Sequence, residues 1–334
     1  MRERVNTAFA RFRRSHEFWL LIVITVLCGG LGLANAQFLT LQNLFDLLTS
    51  YAFVGILALG LLVVLIAGGI DISFTATASV AQYVAMAVAN AYGANWLAVF
   101  VMAIGIGVAL GAINAVFIER LRIPSIIVSV ATLNIFYGLL IFVTGGKYIY
   151  ALPDWFATGI FWFEFDWGKD SSYGVNLQIL VLGLSFLLTW LLLNRSNIGR
   201  QIYAMGGHPD AAQRLGFHIF GLNLLVYCYM GAMAGMASLV QAQLAQSVAP
   251  TVLVGKELDV VAAVVLGGAS LAGGVGTVLG TFLGLALLAI LQNGLVLLGV
   301  SSYWSSLFVG LVILISVSVT AWSQRERRTR RVRP

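Results

Sequence analysis

Between Asp46 and Glu119 the chain carries one charged side chain, the carboxylate of Asp71, and no Lys, Arg or His. A soluble domain cannot hide so long a stretch, because its charge is normally interspersed at about 25% of residues. Here only 10% of the 334 residues are charged and 60% are hydrophobic. Each crossing of a ~30 Å hydrocarbon core takes ~20 apolar residues as a helix, so the chain has room for about ten. The expectation is an all-α polytopic membrane protein. Its 36 glycines beside 5 prolines suit closely packed transmembrane helices. Cys28 and Cys228 both sit inside apolar runs, where packing residues are expected rather than a disulfide or metal pair.

The scarce positive charge is segregated. All but three of the 19 Lys and Arg residues fall at the N-terminus (Arg2 to Arg14), at Arg120 and Arg122, at Arg195, Arg200 and Arg214, and in the tail from Arg325 to Arg333. Lys147, Lys169 and Lys256 lie instead in connections rich in acids. By the positive-inside rule the first set faces the cytoplasm and the second the opposite side. Each basic run abuts an apolar span and lacks interleaved aromatics, so membrane orientation outranks nucleic-acid binding.

Both termini inside require an even number of crossings. The apolar segments are 18–35, 50–68, 72–92, 96–118, 124–143, 176–193, 219–242, 257–271, 277–299 and 304–322, and with these ten every basic loop is cytoplasmic. Residues 1–17 then form a basic cytoplasmic N-terminus, 18–322 the transmembrane domain and 323–334 a basic cytoplasmic tail. The first span ends in a small-residue string, Ala34-Asn35-Ala36, like a signal-peptide cleavage site. Its length and the spans that follow favour retention, and a mature N-terminus at Gln37 would refute this.

Two connections exceed what a hairpin needs. The outer one, 144–175, holds Trp155, Trp162 and Trp167 among acids and glycines, as an interfacial cap would. In the inner one, 194–218, Pro209 at a first helical position, Asp210 in the first turn and Gly216 past the end describe one short exposed helix. Such a helix is shaped to dock into a groove on another protein.

Glycine-rich strings interrupt the apolar runs at Gly68-Gly69-Ile70-Asp71-Ile72-Ser73 and at Gly267-Gly268-Ala269-Ser270-Leu271-Ala272-Gly273-Gly274. Backbone freed at such depth must face protein or water. Paired interruptions in two halves of a chain point to an inverted-repeat transporter and its pathway. Candidate path residues are Gly68, Gly69, Asp71, Ser73, Asn114, Gly267, Gly268 and Asn293. Asp71 has two roles open to it, a pathway group or a structural cap satisfied by nearby amides and Ser73. Asn114 and Asn293 suit interhelical hydrogen bonds as well as substrate contacts.

No catalytic or metal-ligating constellation assembles. His16, His208 and His218 all lie in basic segments, and none pairs with Cys, Asp or Glu at ligand spacing. Gly168-Lys169 and Gly255-Lys256 are not followed by Ser or Thr, so there is no P-loop. No hydrolase motif is present. Transport therefore outranks enzymatic activity.

Four strings in order resemble one family, the permeases of bacterial ABC importers for simple sugars such as ribose, xylose, arabinose, rhamnose and autoinducer-2. They are Gly68 to Ser73; Leu121-Arg122-Ile123-Pro124-Ser125; Gly199-Arg200-Gln201-Ile202-Tyr203-Ala204-Met205-Gly206-Gly207 with Asp210-Ala211-Ala212 and Leu215-Gly216; and Leu258 to Gly268 continued by Gly273 to Gly280. Phe74-Thr75-Ala76 and His208 depart from the family's Val-Gly-Ser and Asn. The resemblance implies an inverted-repeat, type II ABC importer-like permease in the bacterial inner membrane. It also implies that His208, Pro209, Asp210, Ala211, Ala212, Arg214 and Leu215 seat in a separate ABC ATPase subunit. That partner would hold ATP-Mg, with no cofactor on this chain. A periplasmic or lipid-anchored sugar-binding protein and a second permease chain, in a homodimer or heterodimer, complete the implied assembly. A proton-coupled carrier using Asp71 and a permease for nucleosides are the alternatives.

Overall fold

The computed structural model describes residues 16–158, 161–166 and 172–301, with residues 304, 307, 308, 310, 311 and 314 beyond them. Helix α1 spans His16–Ala34, α2 Leu41–Ser50, α3 Ala52–Ile66, α4 Phe74–Tyr92, α5 Trp96–Leu121 and α6 Ser125–Thr144. After the short α7, Asp154–Ala157, strands β1 (Phe161–Asp166) and β2 (Ser172–Asn176) pair antiparallel, with Glu164 opposite Gly174. Helix α8 (Leu177–Trp190) runs into a π-turn at Leu191–Arg195, followed by α9 (Asn197–Gly207) and α10 (Pro209–Arg214). Then come α11 (Ile219–Ala245), α12 (Glu257–Leu266) and α13 (Val278–Leu297). The ribbon inside the 144–175 connection qualifies the all-α expectation, and the inner connection holds two helices, α9 and α10, rather than one.

Polar residues start the helices where hydrocarbon would leave amides bare. Thr40, Asn95, Asn176, Ser196, His218 and Thr277 each accept a backbone N–H of the first turn of α2, α5, α8, α9, α11 and α13 respectively.

Helix α3 is the axis of the core: all 15 of its residues are buried. Its main neighbours are α8, α11, α12 and α13, with α2 and α9 at its ends. By contrast α1 buries only Leu20 and turns Trp19, Val26 and Leu33 outward, as a lipid-facing helix does. Helices α5 and α11 pack closest of all, through Gly107 and Gly111 on one and Gly231 and Gly235 on the other. A Cβ on Gly107 would strike the Gly231 carbonyl, and one on Gly231 would strike that of Gly107. Small residues four apart let two backbones touch, which supplies the dispersion contact that drives association in lipid.

Among the described residues 6 helices are long and apolar enough to cross a membrane, or 7 if α2 and α3, bent by 52° at Tyr51, count as one span. The ten expected crossings differ at three places. Helix α4 is long enough but carries Thr75, Thr77, Ser79, Gln82 and Asn90, which lower its hydropathy. Helix α12 has 10 residues, about 15 Å of helix. The third, 304–322, lies mostly outside the described residues, as do residues 1–15 and the tail.

Candidate functional site

The first glycine string lies between α3 and α4. Gly68 adopts φ +88°, which turns the chain out of α3 at Ile66. Asp71, 2% exposed, then accepts two bonds at one oxygen: the Ser73 amide donates to Oδ1 at 2.8 Å and the Ser73 hydroxyl at 2.7 Å. Asn114 of α5 donates from Nδ2 to Ser73 Oγ at 2.7 Å, and the Ile70 amide donates to Ser125 Oγ at the start of α6, 2.9 Å. The carboxylate thus closes a local turn ahead of α4, where the helix dipole favours negative charge. Three expected residues, Asp71, Ser73 and Asn114, form one connected network. Gly69 lies under the Tyr227 hydroxyl, which a Cβ there would meet at 2.5 Å.

The second string lies between α12 and α13. Gly267 closes α12 and packs on α13 at Gly280, while Gly268 turns with φ +89°. His16 Nε2 donates to the Leu266 carbonyl at 2.8 Å, satisfying a C-terminal oxygen of α12.

The two strings meet at the end of α9. Gly206 presses on the Ile66 carbonyl so closely that no Cβ fits, and the Gly274 amide donates to that same oxygen at 2.9 Å. A Cβ on Gly273 would lie 2.6 Å from the Gly206 carbonyl oxygen and 2.8 Å from Gly68 Cα; one on Gly274 would lie 2.8 Å from Gly207 Cα. Three backbones therefore touch with no side chain between them. Tyr203 of α9 adds a bond from its hydroxyl to the Gly276 carbonyl, 2.7 Å, and burial pushes its phenol pKa up.

Immediately after this junction comes α10. Pro209 occupies its first turn, Gly216 has φ +85°, and the Phe217 amide returns to the Ala212 carbonyl at 3.2 Å. His208, Pro209, Asp210, Ala211, Arg214 and Leu215 are exposed, Leu215 at 73%. Ala212 is not: at 1% exposure it anchors the turn to the core and leaves the expected docking face.

Asn293 lies apart from this network, at the other end of α13. It exchanges two side-chain bonds with Asn43 of α2, 2.9 and 3.1 Å, as an interhelical clasp. Near that end a cavity of about 270 Å³ is lined by Ser50, Tyr51, Gln241, Lys256, Asp259 and Gln292. Tyr51 donates to Gln292 Oε1 at 2.7 Å, and Lys256 pairs with Asp259 at 3.4 Å. Glu257, between those two, turns to α4 and accepts from the Thr75 hydroxyl. None of these cavity residues was expected from the sequence. A signal was available in the Gln and Tyr residues that punctuate the ends of the apolar runs. Among the described residues no group of three His, Cys, Asp or Glu could hold a metal ion.

Comparison with known proteins identifies the family. The family described as "Branched-chain amino acid transport system / permease component" matches residues 43–317. The chain belongs to this permease family. The permease is 33% identical over 299 residues to the ribose import permease protein RbsC of Escherichia coli (strain K12), covering 90% of this chain and 92% of the relative. To the ribose import permease protein RbsC of Bacillus subtilis (strain 168) it is 32% identical over 300 residues, 90% and 89% of the two chains. To the autoinducer 2 import system permease protein LsrC of Photorhabdus luminescens it is 30% identical over 308 residues, 90% and 88%. These relatives bear out the resemblance to simple-sugar permeases. No solved structure matches the permease.

Proposed function

We propose that the permease is the membrane-spanning subunit of an ATP-driven importer that carries a simple sugar or sugar-like molecule into the cell. It crosses the inner membrane ten times, with both termini and α10 in the cytoplasm. A separate ABC ATPase holds ATP-Mg and grips the exposed turn of α10. A periplasmic or lipid-anchored binding protein supplies sugar to the opposite end, and a second permease chain completes the path. The relatives' names favour ribose or autoinducer-2 as the kind of cargo.

The observation that carries this reading is the glycine junction. The helix that leads into the exposed turn touches both glycine strings backbone to backbone. A displacement of α10 has no soft side chains in which to dissipate before it reaches them, because packed backbones move as a body. The ATPase biases the path to the extent that it binds α10 differently in the two states.

The test is uptake of radiolabelled ribose into proteoliposomes. Uptake that requires ATP, the ATPase and the binding protein is expected. Uptake by this chain alone, driven by a pH gradient, would instead establish a proton-coupled carrier.

A further inference from the structure

We propose that one face of α4, bearing Thr75, Ser79 and Gln82, is the wall of the transport path that contacts the hydroxyls of a neutral polyol, and that residues 246–256 cover it in this conformation. This deepens the function proposed above and rests on it.

The three residues stand at helical spacing i, i+4 and i+7, which puts them on one face over two turns. All three are buried, Gln82 completely. Thr75 donates to Glu257, and Ser79 Oγ donates to the Thr75 carbonyl at 2.9 Å. Gln82 is different: neither Oε1 nor Nε2 has a hydrogen-bond partner. A buried carboxamide with both ends unmade is a destabilising way to fill space that Leu or Met would fill without loss. Its retention makes sense if the amide is satisfied in another state.

Helices α5, α6 and α11 pack around α4, and a connection reaches it as well. Residues 246–256 begin near α4 at Val248, which belongs to the same buried cluster as Ala81, Ala85, Met86 and Ala89. The same connection leads into Glu257, which meets Thr75 at the other end of the stripe. Between these contacts the backbone runs through turns and buries Ala249 and Leu253. The segment therefore follows α4 along the stripe. The same segment lines the polar cavity through Val252, Leu253 and Lys256, together with Asp259 of α12. Lifting the segment would join that cavity to the stripe.

The chemistry selects the ligand. Each hydroxyl of a sugar both donates and accepts, as do the Gln82 amide and the Ser79 and Thr75 hydroxyls. Glu257 adds an acceptor and a negative charge, while Lys256 is engaged by Asp259. Such a wall fits an uncharged polyol and disfavours a phosphorylated or carboxylated one.

The experiment uses the full complex, in proteoliposomes, with ribose as probe. Gln82→Leu is expected to lower ATP-dependent uptake by about tenfold or more, as loss of a hydrogen-bonding site does. The melting temperature of the purified permease should be unchanged or higher. Uptake at the wild-type rate would overturn the inference, whatever the stability. In a Cys28→Ser, Cys228→Ser background, Ser79→Cys should react with a hydrophilic methanethiosulfonate during ATP turnover, and more slowly with excess ribose present. A thiol that stays unreactive throughout turnover would equally overturn it. Should the wild type take up no ribose with its partners and ATP, the proposed function would fail, while the cysteine readout would still decide whether this face meets water.

Discussion

Asp71 could be picked out from the sequence because it is the one charge in a long apolar stretch, but the sequence left open whether it lines a path or caps a turn, and its bonds to Ser73 are a property of the fold. A carboxylate so placed is tolerated only when its oxygens are occupied. Since Oδ1 accepts both bonds from Ser73, an asparagine can retain them and an alanine cannot. Asp71→Ala should cost about 1.5–3 kcal/mol, the range for hydrogen bonds to a charged group, and Asp71→Asn distinctly less. Thermal unfolding of the two variants in detergent checks the order. Gln82 was not legible in the same way, because an uncharged amide in an apolar run looks like any interhelical hydrogen-bonding residue. Only the missing partners set it apart, and partners are a property of the folded chain. Gly206 lies between these cases. Its place in a recognisable string was visible, but its contact with Ile66 joins residues far apart in sequence. Gly206→Val should overpack the junction by about 1–3 kcal/mol. Loss of coupled uptake with the ATPase still co-purifying is the expected result.

At the level of the helix, α10 followed local rules and was readable from them: proline at the start, an acid in the first turn, glycine just beyond the end. Which of its faces is free was not readable, because a turn of 6 residues has no periodicity to analyse. The burial of Ala212 divides two substitutions that the sequence treats alike. Ala211→Arg, on the exposed side, should change stability by no more than about 0.5 kcal/mol and weaken capture of the ATPase in a pull-down. Ala212→Arg should lower the melting temperature of the permease itself. Helices α4 and α12 fall within apolar segments counted as crossings from the sequence, yet neither meets the requirements of a lipid-facing span. One is too polar and the other too short to pass as a span, and most residues of each are buried against the rest of the chain. Length and apolarity are requirements of contact with lipid, not of membership in the fold.

For the molecule as a whole, charge segregation was the most informative property of the sequence. The His16, Glu17, Tyr203 and Gly206 contacts gather the ends of α1, α3, α9 and α12 at one pole, and the Asn35, Asn43, Tyr51 and Asn176 bonds gather others at the opposite pole. A reporter fused after Arg333 should read as cytoplasmic, and one inserted between Lys147 and Asp154 as external; an external tail would break the ten-crossing topology. The complete enclosure of α3 has a different consequence. Its 15 residues, about 22 Å of helix, are shorter than the hydrocarbon they would have to span, yet they meet none of it. Thickening or thinning the bilayer would strain the peripheral helices, which are matched to it, and leave this inner helix unloaded. The permease thus keeps its central helix mechanically insulated from the composition of the membrane in which it works.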